Sequence, residues 1–161
     1  MDEGTFARAA EEYAGRLYAV ARRLLGNRAD AEDAVQRALL KAFAARASYS
    51  PRWAVSTWLY RVLANVCIDE LRRRRTRDGA AEALRAGGGG RGRVERLDLE
   101  RALAAVPREA RVLLALRYVD GLSHRELAAI RGISVNTVKS QLARGKAIVR
   151  QTLEGGDDGQ D

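Results

Sequence analysis

Apolar residues recur along this chain every three to four positions, the spacing that collects them on one face of an α-helix. Phe6, Tyr13, Leu17, Val20 and Leu24 form the first such stripe, which ends at Gly26. Asn27 and Asp30 then offer a turn and a cap, and Ala31, Ala34, Val35, Ala38 and Ala42 make a second stripe of small residues. A loop, SYSPRWAVS, is broken by Pro51; beyond it Leu59, Leu63, Cys67 and Leu71 line a third helix that ends in Arg72–Arg75. The periodicity lapses over 76–97, where Gly87–Gly90 stand among Arg85, Arg91, Arg93 and Arg96. Such a composition cannot bury a core and predicts a flexible, positively charged tether. The pattern resumes at Leu97, Leu99, Leu103 and Val106.

The run from Pro107 to Arg150 carries the clearest punctuation. Pro107 suits the first turn of a helix, Val112, Leu113, Leu116 and Val119 repeat at helical spacing, and Gly121 stops them. Ser123 with Glu126 three residues on is a capping box for the next helix, whose inward residues are Leu127 and Ile130 before Gly132. Ser134 caps a last helix with Val138, Leu142 and Val149 on one side. The expected fold class is therefore all-α: a helical domain over 1–75, the tether over 76–97, a second helical domain over 98–154, and an acidic tail, 155–161.

Two short helices joined by a tight Gly-containing turn form a helix-turn-helix, whose second helix is free to enter a major groove. Asn136, Thr137, Lys139, Ser140, Gln141, Arg144 and Lys146 leave the apolar side of that helix. Arg and Lys reach guanine edges or phosphates, and Asn and Gln pair with adenine. The Ser134 cap also leaves a helix N-terminus suited to a phosphate. Between Gly121 and Arg150 six cations (Arg125, Arg131, Lys139, Arg144, Lys146 and Arg150) face one acid, Glu126. A bare three-helix core with a solvated basic face explains the apolar residues but not the agreement of caps, turn and groove-facing side chains.

Composition narrows the rest. The 161 residues carry a formal net charge of +8, and the pI near 10.3 favours an acidic partner such as nucleic acid. No apolar run is long enough to span a bilayer, and the N-terminal MDEGTFARAAEEY lacks the layout of a signal peptide, so no membrane insertion and a cytoplasmic location are expected. Cys67 is the sole cysteine and His124 the sole histidine. They leave no disulfide, no multi-cysteine metal site and little material for catalysis; no cofactor, metal or catalytic residue is expected. In the first domain Trp53, Trp58 and Tyr60 lie near Arg52, Arg61 and Arg72–Arg75. Rings beside cations suit single-stranded nucleic acid, bases stacking while arginines follow the phosphates. For Trp58 alone, a core position is as good a reading. Asp30, Glu32 and Asp33 begin the second helix, where acids complement the helix dipole.

The segments DAEDAVQRALLKAF, TWLYRVLANVCIDELRRRR and GLSHRELAAIRGISVNTVKS, in this order around a tether, resemble a bacterial RNA polymerase sigma factor. The similarity is to the small two-domain, extracytoplasmic-function (ECF) group of the sigma-70 family, and it spans about residues 6–152. It implies a factor that binds core RNA polymerase and directs promoter-specific transcription initiation. By this resemblance Asp30, Glu32, Asp33 and Gln36 dock on the clamp coiled coil of the polymerase's largest subunit, and the C-terminal domain lies near the flap region. Tyr49, Arg52, Trp53, Ser56, Trp58, Tyr60, Arg61, Asn65, Asp69, Arg72 and Arg73 meet the −10 element, where an unstacked base is captured. Ser134, Asn136, Thr137, Lys139, Ser140, Ala143, Arg144 and Lys146 meet the −35 duplex. The resemblance also admits control by a separate anti-sigma protein.

This chain departs from the family pattern at several places. Arg37 stands where an acid is usual, Leu39 and Val55 where a bulky aromatic is common, and Ser56 where an arginine is frequent. Gly145 interrupts the recognition helix at a cost of about 1 kcal/mol relative to Ala, and a close backbone approach to DNA is the expected reason. Two other classes fit parts of the sequence. A stand-alone helix-turn-helix regulator would bind a palindromic duplex as a dimer without polymerase. A nuclease would need further carboxylates converging on Asp30, Glu32 and Asp33, for which no motif exists.

Overall fold

The computed structural model describes residues 1–77, 99 and 101–157. The regular structure among them is helical: α1 Glu3–Leu25, α2 Arg28–Ala44, a 3₁₀ turn Arg46–Ser48, α3 Val55–Arg77, α4 at 101–105, α5 Arg108–Asp120, α6 His124–Arg131 and α7 Val135–Asp157. Local chemistry sets the ends. Asp2 caps α1 by accepting the Thr5 N–H at 2.7 Å, which holds the Asp2 carboxyl below its ordinary range. Asn27, rather than Asp30, caps α2, so that helix begins two residues ahead of the expected acids. Pro107 stands one position before α5 instead of inside it, and its carbonyl takes the Arg111 N–H. The Ser123–Glu126 capping box is present in both directions, at 3.1 and 3.2 Å.

The N-terminal helices close on the stripes that periodicity predicts. Leu17, Val20 and Leu24 of α1, Ala31, Ala34, Ala38 and Ala42 of α2, and Leu59, Leu63, Cys67 and Leu71 of α3 are all buried. The alanines let α1 and α3 pack closely on α2. Burial pushes the Cys67 thiol up to about 12, so it is a packed, protonated side chain rather than a nucleophile.

The C-terminal helices do not hang apart from this core. Helix α5 buries Ala110, Val112, Leu113, Leu114, Ala115 and Leu116, which together leave it apolar nearly all round. A helix of that kind must be covered on more than one side. Here α7 and α6 cover part of it, while α1 and α3 pack on the remainder, and one continuous buried cluster runs through both units. Polar contacts join the same surfaces. The Tyr60 hydroxyl donates to Asp120, Arg16 lies 3.8 Å from Asp120, and Arg131 donates to Asn65 Oδ1 at 3.1 Å. The Gly87–Gly90 tether lies outside the described residues. Helix α3 continues two residues into the expected tether, and α7 runs through 155–157, which the sequence reading placed in the tail.

Candidate nucleic-acid interface

The outward face of α7 is built by its own cap and core. Ser134 Oγ accepts the Thr137 N–H at 3.1 Å and lies 2.8 Å from the Thr137 hydroxyl, so both residues serve the helix start. The remaining N–H groups of a first turn stay open at such an end. Val138 and Leu142 are buried, and Asn136, Lys139, Ser140, Ala143 and Arg144 are exposed on the opposite side. The Ser140 hydroxyl returns to the Thr137 carbonyl at 3.1 Å. Lys146 sits at the edge of this face, its ammonium 5.3 Å from the Tyr118 ring of α5. Gly145 is buried, and its reason is not DNA. A Cβ there would lie 2.9 Å from Leu114 Cδ1 and 3.5 Å from Val106 Cγ1, so the glycine permits close packing of α7 on α5.

A second candidate surface is a cleft of about 310 Å³ between the Tyr49–Ala54 loop and α3. Its walls include Tyr49, Trp53, Trp58, Arg61 and Asn65. The loop is held by the Tyr49 hydroxyl, which donates to the Trp53 carbonyl at 2.5 Å, and by the Trp53 N–H on the Ser50 carbonyl at 3.1 Å. Tyr49 and Trp58 rings stand 5.2 Å apart, Trp58 packs edge-on against Phe6, and the Arg61 guanidinium lies 5.8 Å from the Trp53 ring. Aromatic rings and a cation, with the hydroxyls of Ser48, Ser50 and Thr57 and the Asn65 amide beside them, suit a flat ligand on an anionic backbone that also offers polar edges. Asp69, Arg72 and Arg73 continue the exposed side of α3 away from the cleft.

The third surface is α2. Asp33, Gln36, Leu40 and Phe43 form one exposed stripe, with Leu40 70% exposed although fully apolar. The acids here are already engaged within the chain. Asp30 is bound by Arg74 and Asn27, Glu32 by Arg28 at 2.8 Å, and Asp33 by Arg37 at 3.0 Å. Arg37 also lies 3.6 Å from Glu70 on α3, so the departure at this position serves an α2–α3 ion-pair bridge.

Comparison with known proteins then decides the family. Residues 9–77 match the model of sigma-70 region 2 and residues 96–149 that of sigma-70 region 4. The chain is 31% identical to the ECF RNA polymerase sigma factor SigW of Bacillus subtilis over 170 residues, covering 94% of this chain and 90% of the relative. The chain belongs to the ECF sigma factors. SigM of Mycobacterium tuberculosis is 33% identical over 86% of this chain and 71% of its own length. Among solved structures, CnrH bound to the cytosolic domain of CnrY superposes with a TM-score of 0.74 at 23% identity, covering 96% of this chain and 90% of that one. RpoE of Bartonella quintana, in complex with the anti-sigma factor NepR, does so at 0.70 and 24%, covering 93% and 97%. These two share the fold.

Within this sigma factor the expected residues fall into groups. The structure brings Tyr49, Trp53, Trp58, Arg61 and Asn65 around one cleft, with Arg52 on the loop and Asp69, Arg72 and Arg73 beyond. Tyr60 requires correction. It is 1% exposed and donates to Asp120, because its position on α3 turns it toward the core and away from Arg61 and Asn65. Burial, then the Asp120 hydrogen bond, push its phenol well above the ordinary value. Ser56 lies on that same side of the helix, half-buried at its start. Arg131, one of the six cations between Gly121 and Arg150, is held within the chain by Glu109 at 2.7 Å and by Asn65. Sequence reading missed Leu40 and Phe43; the signal was present as large apolar residues off the alanine stripe of α2. Among the described residues, no group of three His, Cys, Asp or Glu could hold a metal, and no helix is long and apolar enough to cross a membrane.

Proposed function

We propose that this sigma factor docks on core RNA polymerase through the outer stripe of α2, captures an unstacked −10 base in the α3 cleft and reads the −35 duplex with α7. The observation that carries the reading is the pairing, in one chain, of an aromatic, cation-flanked cleft with an exposed recognition-helix face. One suits unpaired bases and the other a major groove. On α2, Asp30 and Glu32 serve mainly the helix start, and Asp33, Gln36 and Leu40 offer the surface to the clamp coiled coil. On α7, Ser134 and Thr137 present the helix end to a phosphate, Arg144 has the reach for a bidentate guanine contact, and Asn136, Lys139, Ser140 and Ala143 surround it.

A groove of about 480 Å³ between α1, α4, α5 and α7 supports a protein partner for the C-terminal unit. Its lining includes Leu103, Leu114 and Val149, with Arg111 in the wall and the exposed Arg23, Lys146 and Arg150 at the rim. Burial lowers the Arg111 guanidinium, which donates to the carbonyls of Ala104 and Val106 and so closes the end of α4. An apolar floor with a cationic rim fits an acidic amphipathic helix, from the polymerase flap region or from an anti-sigma protein. The factor then acts where the polymerase is, in the cytoplasm, and catalyses nothing itself.

Run-off transcription of genomic fragments by core polymerase, with and without this protein, tests the reading. Specific starts only in its presence are expected; binding of a palindromic duplex without polymerase, and no starts, would place the chain with stand-alone regulators instead.

A further inference from the structure

We propose that Phe6 of α1 is a positioning residue for −10 reading: through Trp58 and Tyr49 it fixes the loop that carries Trp53, and so sets how sharply the cleft tells one base from another. The role rests on the assignment of that cleft to unpaired DNA. Phe6 does not line the cleft, whose walls come from residues 48–65. It is buried near the start of α1, which Asp2 fixes by accepting the Thr5 N–H. Its ring begins a continuous series of contacts that ends on the loop backbone.

Phe6 meets the Trp58 ring edge-on, with centroids 6.4 Å apart and planes at 80°. Trp58 is half-buried and borders the cleft, where the Tyr49 ring stands 5.2 Å from it at 53°. The Tyr49 hydroxyl donates to the Trp53 carbonyl at 2.5 Å, so the series closes on the loop itself. On α2 the Phe43 ring also meets Phe6 edge-on, at 5.4 Å, and the Arg46 guanidinium lies 3.9 Å from the Phe43 centroid. Two rings thus hold Phe6, one on α2 and one on α3.

The series divides the work of the cleft. Tyr49 has its ring on Trp58 and its hydroxyl on Trp53, which makes it a strut rather than a reader. Trp53 is exposed beside Arg61 and offers the stacking face. Stacking alone does not select, because every base has a π-face. Selection needs polar atoms in fixed places, and here they come in two sets. Ser48 and Ser50 flank Tyr49, and the Ser50 carbonyl takes the Trp53 N–H at 3.1 Å, so this set moves with the strut. Thr57 and Asn65 belong to α3. A loop that shifts against α3 keeps its stacking ring and loses the register between the two sets. Only the matching base uses that register, so loosening weakens its binding more than that of the others.

The test uses the full chain with core polymerase. A promoter active in run-off transcription is randomised across its −10 element and transcribed by each holoenzyme. The ratio of best to worst base is read at each position, a quantity independent of how much holoenzyme has formed. Phe6→Leu, and Phe6→Met as a second ring-free variant, are expected to lower the largest ratio by about fivefold. Tyr49→Phe removes one hydroxyl, keeps the ring on Trp58 and should lower the ratio alike. The double variant Phe6→Leu with Tyr49→Phe should lose no more than the larger single loss, since two breaks in one strut are not independent. Leu17→Val, a buried change elsewhere on α1, should keep the wild-type ratio. A wild-type ratio in the Phe6 variants or in Tyr49→Phe overturns the positioning role. Losses that multiply in the double variant, or an equal loss in Leu17→Val, overturn it as well. Trp53→Ala and Arg61→Ala test the cleft itself and should weaken holoenzyme binding to the single non-template strand whatever its sequence. If neither does, the cleft assignment falls and the positioning role with it; if they do while the Phe6 variants keep the wild-type ratio, only the strut is lost.

Discussion

Replacing Gly145 separates a packing role from a DNA role, and the structure sets the size of the effect. Alanine there regains about 1 kcal/mol of helix propensity. Against this, its Cβ would meet Leu114 Cδ1 at 2.9 Å, a contact that must relax. Overpacking in a closed core typically costs about 1–3 kcal/mol. Leu114, however, borders the 480 Å³ groove, and the clashing atom is the free end of its side chain. A rotation into that space relieves the contact, while Val106 Cγ1 at 3.5 Å is in ordinary van der Waals range. The two effects nearly cancel, and Gly145→Ala should stay within about 1 kcal/mol of wild type. Gly145→Leu must wedge three further carbons between α5 and α7 and should lose about 3 kcal/mol. Urea unfolding followed by circular dichroism measures both, compared at equal slope. Promoter selectivity of Gly145→Ala should be unchanged. A well-tolerated leucine, or an alanine that keeps its stability but loses upstream selectivity, would refute the packing argument and return this glycine to the DNA side.

Leu40→Glu should leave stability within about 0.5 kcal/mol, since the side chain is 70% exposed, yet weaken pull-down of core polymerase; equal pull-down removes α2 from the docking surface. Arg144→Ala should lower transcription from −35-dependent promoters and relax preference at one upstream position, where a bidentate guanine contact discriminates by roughly 1–3 kcal/mol; a uniform loss across randomised upstream elements marks a phosphate anchor instead. Cys67 has a folded-state thiol raised to about 12 against an ordinary 9.0, so it favours the fold below pH 9 and that contribution is lost as pH climbs from there toward 12. The drop in unfolding free energy between pH 8 and pH 10 (about one unit either side of the ordinary value) should therefore be smaller in Cys67→Ala than in wild type.

The helices that carry one apolar stripe were legible in full. Leu17, Val20 and Leu24, the alanines of α2, and Leu59, Leu63, Cys67 and Leu71 are buried where a 3.6-residue period puts them. Turn chemistry was equally readable: Gly121 and Gly132 take φ of 67° and 65°, conformations in which a Cβ is strained, and the Ser123–Glu126 box closes as its spacing predicts. Tyr60 was misread because an aromatic beside arginines has the same composition whether it faces DNA or the core. Only its angle on α3, opposite Arg61 and Asn65, separates the two. Arg37 looked like a lost docking charge, and its partners, Asp33 one turn back and Glu70 on another helix, became visible only once α2 and α3 were paired.

The largest omission concerns α5, and its cause is physical. Counting Val112, Leu113, Leu116 and Val119 as a single stripe describes one face and assigns the helix to its own small unit. Yet Val119 is 38% exposed, and Ala110, Leu114 and Ala115, which that stripe leaves out, are buried. The surplus of apolar faces was present in the run VLLAL, and a helix with such a surplus requires a second partner. In this chain the second partner is α1 of the other unit, with Asp120 at the end of α5 meeting Tyr60 and Arg16. A tether between two helical units therefore does not imply independence. When α5 leaves α1, an apolar surface is exposed on each, and that exposure costs free energy unless something covers it.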